Sequence, residues 1–182
     1  MDVRPRIDTR ELELNLNEDY SALHRQRKDL VLYETAPLAQ DMEITGPMTA
    51  TIWAATDATD TDWNVMILDV HPDGRALRIQ DGVMRQRFAR GFATETRLAP
   101  NEAHAINIDL WFTAIVIPKG HRIRVAVSSA AFPKYDRNLN TGGDNERDTS
   151  FVSARQSIFH DAQHASFVRL PVIPRAARER RE

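Results

Sequence analysis

Apolar residues recur at every second position along much of this chain, the spacing that lays one face of a β-strand against a core. Residues 11–17 alternate strictly, with Leu12, Leu14 and Leu16 on one side. Residues 48–56 alternate again and are rich in β-branched types, which suit a pleated, half-buried surface. In 105–113 the inward set is Ile106, Ile108, Leu110 and Phe112. In 122–128 it is Ile123, Val125 and Val127, with Arg122, Arg124 and Ala126 facing out. Residues 30–33 form a short apolar run, and 167–172 read as a last short strand. Residues 63–70 differ: the run is almost continuously apolar, which predicts a strand buried on both sides or one facing a neighbouring domain.

Turn chemistry separates these segments. His71-Pro-Asp-Gly74 is the clearest signal, because proline suits the second turn position and Asp-Gly tolerates positive φ. Pro118-Lys-Gly120 makes a second turn, and Gly46-Pro47 reads as the turn that opens the 48–56 strand. Asp81-Gly82 reads as a bend or bulge between strands at 75–80 and 83–88. Residues 19–28 are polar and suit a helical turn, whereas 132 to about 165 read as one long irregular segment. About eight short strands with little helix predict an all-β sandwich. There are no alternating strand–helix units and no internal repeat.

Composition narrows the classes. The 182 residues, 42% hydrophobic and 27% charged, are enough for one domain with a hydrophobic core. No apolar run approaches the ~20 residues of a membrane-spanning helix, so no membrane partner is expected. The absence of cysteine excludes disulfides, a thiolate nucleophile and cysteine-ligated zinc. The first residues carry no apolar core of a secretion signal, and together these features lead us to expect a cytoplasmic protein. Nine of the 26 acidic residues and none of the 24 Lys and Arg fall between positions 29 and 74. Such blocks are expected to interleave in the fold and neutralise each other. No basic stripe interleaves with aromatics, so nucleic acid is not an expected partner.

Catalytic and metal signals are sparse. None of the seven serines lies in a Gly-x-Ser-x-Gly turn; Ser128 and Ser129 read as strand-end hydroxyls. His160 and His164 have the i, i+4 spacing of two ligands on a helix but lack the accompanying Glu and third ligand, so no zinc is expected. Asp57, Asp60 and Asp62 miss the EF-hand spacing, and solvated loop carboxylates are the expectation there. No cofactor is expected. The unusual segment is 132–143, with two aromatics, an Asp136/Arg137 pair, residues suited to Asx turns and a glycine pair. Such a loop either carries binding function or covers one end of the sandwich. We take Phe132, Lys134, Tyr135, Asp136, Arg137 and Asn138, with Trp63, as the candidate contact surface, and assign no catalytic residue.

Five motifs occur in one order: Asp60-Thr-Asp-Trp63, the 69–76 turn, Asp81-Gly-Val-Met-Arg85, Pro118-Lys-Gly-His-Arg-Ile-Arg124 and residues 128–143. With them the chain resembles the C-terminal domain of X-Pro dipeptidyl-peptidase, found also in cocaine-esterase-type (CocE/NonD) acyl hydrolases. The resemblance implies a jelly-roll β-sandwich of the galactose-binding-like kind over 20–174. Residues 1–19 would be an N-terminal extension whose 11–17 segment substitutes for a first strand, and 175–182 a charged tail. In that family the Ser-His-Asp triad belongs to a separate α/β-hydrolase domain. The resemblance therefore implies a non-catalytic domain of a serine ester hydrolase or dipeptidyl-peptidase that helps to roof the substrate pocket. The expected partner is that hydrolase domain, on the same or another polypeptide, and a homo-oligomer is a further expectation. The alternative is a free-standing carbohydrate-binding module. Against it, Trp53, Trp63 and Trp111 all lie in or beside expected strands, where core packing is anticipated.

Overall fold

A computed structural model of the chain describes residues 19–174; the expected strand at 11–17 and the charged tail lie outside the described residues. The order is α1 (Ser21–Gln26), β1 (Leu30–Glu34), β2 (Met42–Thr56), β3 (Asp62–Val70), β4 (Ala76–Arg85), a 3-10 turn (Gln86–Phe88), β5 (His104–Ile117), β6 (Arg122–Ser128), β7 (Gln156–Phe159), β8 (Phe167–Arg169) and β9 (Val172–Ile173). One antiparallel sheet runs β1-β6-β3-β4. In the other, β2 is central: β5 pairs along one edge, while β7, β8 and β9 take the opposite edge in succession. This is the expected all-β sandwich. No helix among the described residues is long and apolar enough to cross a membrane.

The core lies between the sheets, where Ile44, Met48, Ile52, Val65, Ile67, Ile106, Ile108 and Leu110 pack together. Every residue of β3 is buried. Its odd positions face the core, while Met66, Leu68 and Val70 form a second cluster with Ala76, Ala126 and Tyr20 on the outer face. The outer half of the continuous apolar run is thus packed from within the chain, by Tyr20 just before α1. Ala126, expected to face solvent, is buried under the same cover.

Four expectations about local structure are corrected. Gly46-Pro47 is not a turn but lies inside β2, where the register with β5 shifts. There Leu110 and Trp111 face Met48 alone, a β-bulge, which is where a strand tolerates proline. The extra residue also moves Phe112 from the core row to the surface, because a one-residue slip exchanges the faces. Phe112 is 66% and Trp111 62% exposed, and Trp111 holds φ +62° while its N–H donates to Asp109 Oδ1 at 2.8 Å. Asp81-Gly82 does not divide a strand either: β4 runs through both residues, and the irregularity in its pairing with β3 falls just before them, at Ile79. Finally, the irregular segment contains β7, whose four residues pair with the end of β2.

Candidate docking surface

The 132–143 loop is held from beneath by two buried acids. Asp60, 1% exposed, closes the β2–β3 connection, and Asp62 begins β3. Arg87 Nε donates to Asp60 Oδ2 at 2.7 Å, and the Arg87 backbone N–H donates to Oδ1 at 3.0 Å. Arg85 grips Asp62 through Nε at 2.9 Å and Nη2 at 3.2 Å, and this pairing raises the affinity of Arg85 for its proton. Asn138 bridges the acids, its Nδ2 donating to Asp60 Oδ2 at 2.9 Å and Asp62 Oδ1 at 2.8 Å. Buried carboxylates need such partners to offset lost hydration. The expectation of solvated loop acids is therefore wrong for Asp60 and Asp62; it holds for Asp57, which is exposed and accepts from the Arg155 N–H.

Beyond this anchor the loop folds on itself. The Asn140 N–H donates to Asn138 Oδ1, the Leu139 N–H to Asn145 Oδ1 and the Gly143 N–H to Thr141 Oγ1. Arg87 and Arg97 donate to the carbonyls of Gly143 and Gly142. What the loop presents outward is mixed. The Arg137 guanidinium lies 4.4 Å over the exposed Phe132 ring, and Asp136 is exposed. Lys134 pairs with Asp81, with its ammonium 5.3 Å from the Tyr135 ring centroid. Tyr135 is half-buried; burial, and secondarily the charge of Asp81, push its hydroxyl up to about 12.

Beside the loop, a cavity of about 550 Å³ opens on the outer face of the first sheet, between α1 and residues 128–134. Asn64, Met66 and Ala126 line it, with Phe132 and Lys134 on the loop side. Two buried atoms among its lining residues, His24 Nδ1 and Asp81 Oδ2, find no hydrogen-bond partner among the described residues. Burial, reinforced by Arg124 and Arg27, holds His24 below the ordinary histidine range. A histidine so shifted contributes stability that is present above its unfolded value of about 6.5 and is lost as pH falls below it. The midpoint of denaturant unfolding is expected to drop more between pH 7 and pH 5 for the natural chain than for His24→Gln. Parallel curves would remove His24 from the acid response.

The candidates do not all converge. Phe132, Lys134, Tyr135, Asp136, Arg137 and Asn138 share the loop, Asn138 as its inner anchor. Trp63 is 1% exposed and donates through Nε1 to Gln86 Oε1 at 3.0 Å, so it is a core residue and offers no contact surface. An indole buries most area when it faces the opposite sheet, with its one N–H satisfied. Arg85 and Arg87 were not singled out from sequence, although the acid block at 29–74 called for distant bases. That block is met across the fold, with Arg87 on Asp60, Arg85 on Asp62 and Arg124 on Glu34. His160 and His164 are not on a helix: His160 meets the Tyr33 hydroxyl at 3.2 Å, while His164 pairs with Asp161 and meets the Trp53 ring edge-on. Ser128 donates to the Ala130 carbonyl, the strand-end role expected of it.

Residues 8–169 match the family described as X-Pro dipeptidyl-peptidase C-terminal non-catalytic domain. The chain belongs to that family. It is 38% identical over 159 residues to cocaine esterase of Rhodococcus sp. (strain MB1 Bresler), covering 86% of this chain and 28% of that protein. Among solved structures, it resembles an α-amino acid ester hydrolase with a TM-score of 0.82 at 28% identity, covering 87% of this chain and 28% of the other. An aminopeptidase from the marine sediment archaeon Thaumarchaeota archaeon gives 0.78 at 28% identity, with the same coverages. The chain thus spans little more than a quarter of the length of these relatives. It corresponds to the C-terminal, non-catalytic part of such hydrolases, so a larger hydrolase with an α/β catalytic domain is the setting in which its relatives work.

Proposed function

We propose that this X-Pro dipeptidyl-peptidase C-terminal-like domain docks on an α/β-hydrolase catalytic domain through the 132–138 loop and the cavity beside it, shaping and capping that domain's pocket. The observation that carries this reading is the contrast within the loop. Its base is locked to two buried acids, while its outer side holds an Arg137–Phe132 stack and the exposed Asp136 beside a cavity in which two buried polar atoms find no partner among the described residues. A preorganised surface with aromatic and arginine anchors loses little entropy on binding. The complete enzyme would be an ester hydrolase or a dipeptidyl-peptidase, with all catalytic groups on the other domain. The test is calorimetric titration with the separately produced catalytic domain of the same hydrolase. Phe132→Ala with Arg137→Ala is expected to weaken binding by tenfold or more, about 1.4 kcal/mol or above, without shifting the thermal midpoint. Unchanged affinity would move the docking surface elsewhere.

The carbohydrate-binding reading gains one observation, the exposure of Trp111 and Phe112 at the β5 bulge. A non-glycine residue held at positive φ with its ring in solvent is the kind of strain that accompanies a binding role. A glycan array probed with the natural chain and with Trp111→Ala decides it, because no bound sugar at all ends that reading, and a sugar that binds both equally removes Trp111 from the site.

A further inference from the structure

The core-facing row of β3 does not end apolar. Trp63, Val65 and Ile67 are followed, two residues at a time, by Asp69 and then by His71 just past the strand. In the antiparallel pairing with β6, Asp69 stands opposite Ile123 and Val70 opposite Arg122. Continued by one residue, that register sets His121 opposite His71. Strand geometry alone thus gathers one carboxylate and two imidazoles on one face, where β3 ends and β6 begins.

The side chains complete the convergence. His121 Nδ1 lies 2.8 Å from Asp69 Oδ1, and His71 Nε2 lies 3.5 Å from Asp69 Oδ2. The two rings are 4.4 Å apart between centroids. One donor atom from each residue lies within 4.8 Å of the others. A tetrahedral zinc with bonds of about 2.0–2.1 Å needs its ligand atoms about 3.4 Å apart, so small rotations bring all three into range. The 3.5 Å separation is long for a hydrogen bond, which leaves His71 weakly engaged by the carboxylate it faces. Asp69 is buried, while both imidazoles are partly open to solvent, which leaves room for a water as fourth ligand.

We propose that Asp69, His71 and His121 form a binding site for one borderline transition-metal dication, zinc foremost, with two imidazole nitrogens, one carboxylate and a water as ligands. Two nitrogens in the set disfavour calcium and magnesium, which take oxygen. His71 ligates through Nε2 and keeps its ring proton on Nδ1. Arg75, whose Nη2 stands 3.4 Å from that Nδ1, is half exposed and tied to Asp73, so it can turn aside without disturbing the core. The site is separate from the docking surface: Asp69 is seven residues along β3 from Asp62, about 23 Å at the rise of a strand. Bound metal would clamp the β3–β4 turn to the start of β6.

The experiment uses the untagged full chain, treated with chelator, dialysed and titrated with zinc chloride by calorimetry and with cobalt chloride by visible absorption. One ion per chain, a tetrahedral cobalt spectrum and a zinc-dependent rise in the thermal midpoint are expected. His71→Ala and His121→Ala are each expected to weaken binding by about 100-fold or more, beyond the cost of a changed outer partner. His160→Ala, remote from the three residues, serves as the control and should bind as the natural chain does. Both histidine variants are checked for the natural metal-free thermal midpoint, and His71→Gln replaces any that is unfolded. No binding by the natural chain, or unchanged affinity and stoichiometry in the folded His71 variant, would overturn the site.

Discussion

Asp60→Ala is expected to lower the unfolding free energy by about 3–5 kcal/mol, the usual cost of stranding one partner of a buried ion pair. Asp60 is where several elements meet: the Arg87 side chain and backbone N–H both bind it, and Asn138 hangs the loop from it. Its loss leaves a guanidinium only 12% exposed without its main partner, since the remaining carboxylate contact, with Glu95, is longer at 3.4 Å. Urea denaturation gives the number, and limited proteolysis should show the 138–148 loop cut early. Asp57→Ala, three residues away and exposed, is expected to change stability by no more than about 0.5 kcal/mol. A loss below about 1 kcal/mol for Asp60→Ala would mean that the loop is held chiefly by its own turns.

Gly82→Ala is the second large effect, with an expected loss of about 3 kcal/mol or more from overpacking against backbone. A Cβ at Gly82 would lie 2.0 Å from the carbonyl oxygen of Asp109 and 3.0 Å from Ile108 Cγ2, so β4 meets β5 here with no room for a methyl group. Neither strand can withdraw without breaking a sheet. Gly74 makes the informative comparison. It has open space around it but φ +91°, so Gly74→Ala is expected to cost only the conformational strain, about 1–3 kcal/mol at most. Thermal melts of the two variants side by side test the distinction. If Gly82→Ala melts no lower than Gly74→Ala, the close approach of the strands is not what requires glycine.

Those two glycines show where sequence reading stops. Each follows an aspartate, and Asp73-Gly74 reads as a turn while Asp81-Gly82 reads as a bend or bulge. At Gly74 that is right: the N–H of Gly74 returns to the His71 carbonyl at 2.9 Å. At Gly82 the glycine serves a contact with β5, 27 residues further on, which no local pattern announces. Phe112 fails for a related reason. Its alternation with Leu110 is regular in the sequence, but the bulge opposite Met48 shifts the face, and a bulge is a property of two strands together. Of the tryptophans expected to pack in the core, Trp63 does so and thereby loses its other reading as a contact residue, whereas Trp111 stands in solvent.

The candidate site divides in the same way. That 132–143 would be an ordered, hydrogen-bonded loop was legible, because Asn, Thr and Gly at those positions form Asx and related turns locally. What it is fastened to was not legible, because Asp60, Asp62, Arg85, Arg87 and Asn138 come from three separated stretches. The charge blocks predicted neutralisation between halves of the chain but could not name the pairs.

By itself the sequence determined the all-β class, most strand positions, the turns at 71–74 and 118–120 and, through its motifs, the family. Those features follow from backbone preference and a two-residue period, which act over a few neighbours. The tertiary structure decided which face Phe112 takes, which acids are buried, where the short β7 finds its partner and how Asp69, His71 and His121 come together. Those depend on register between strands, and register follows from which distant segments share a core.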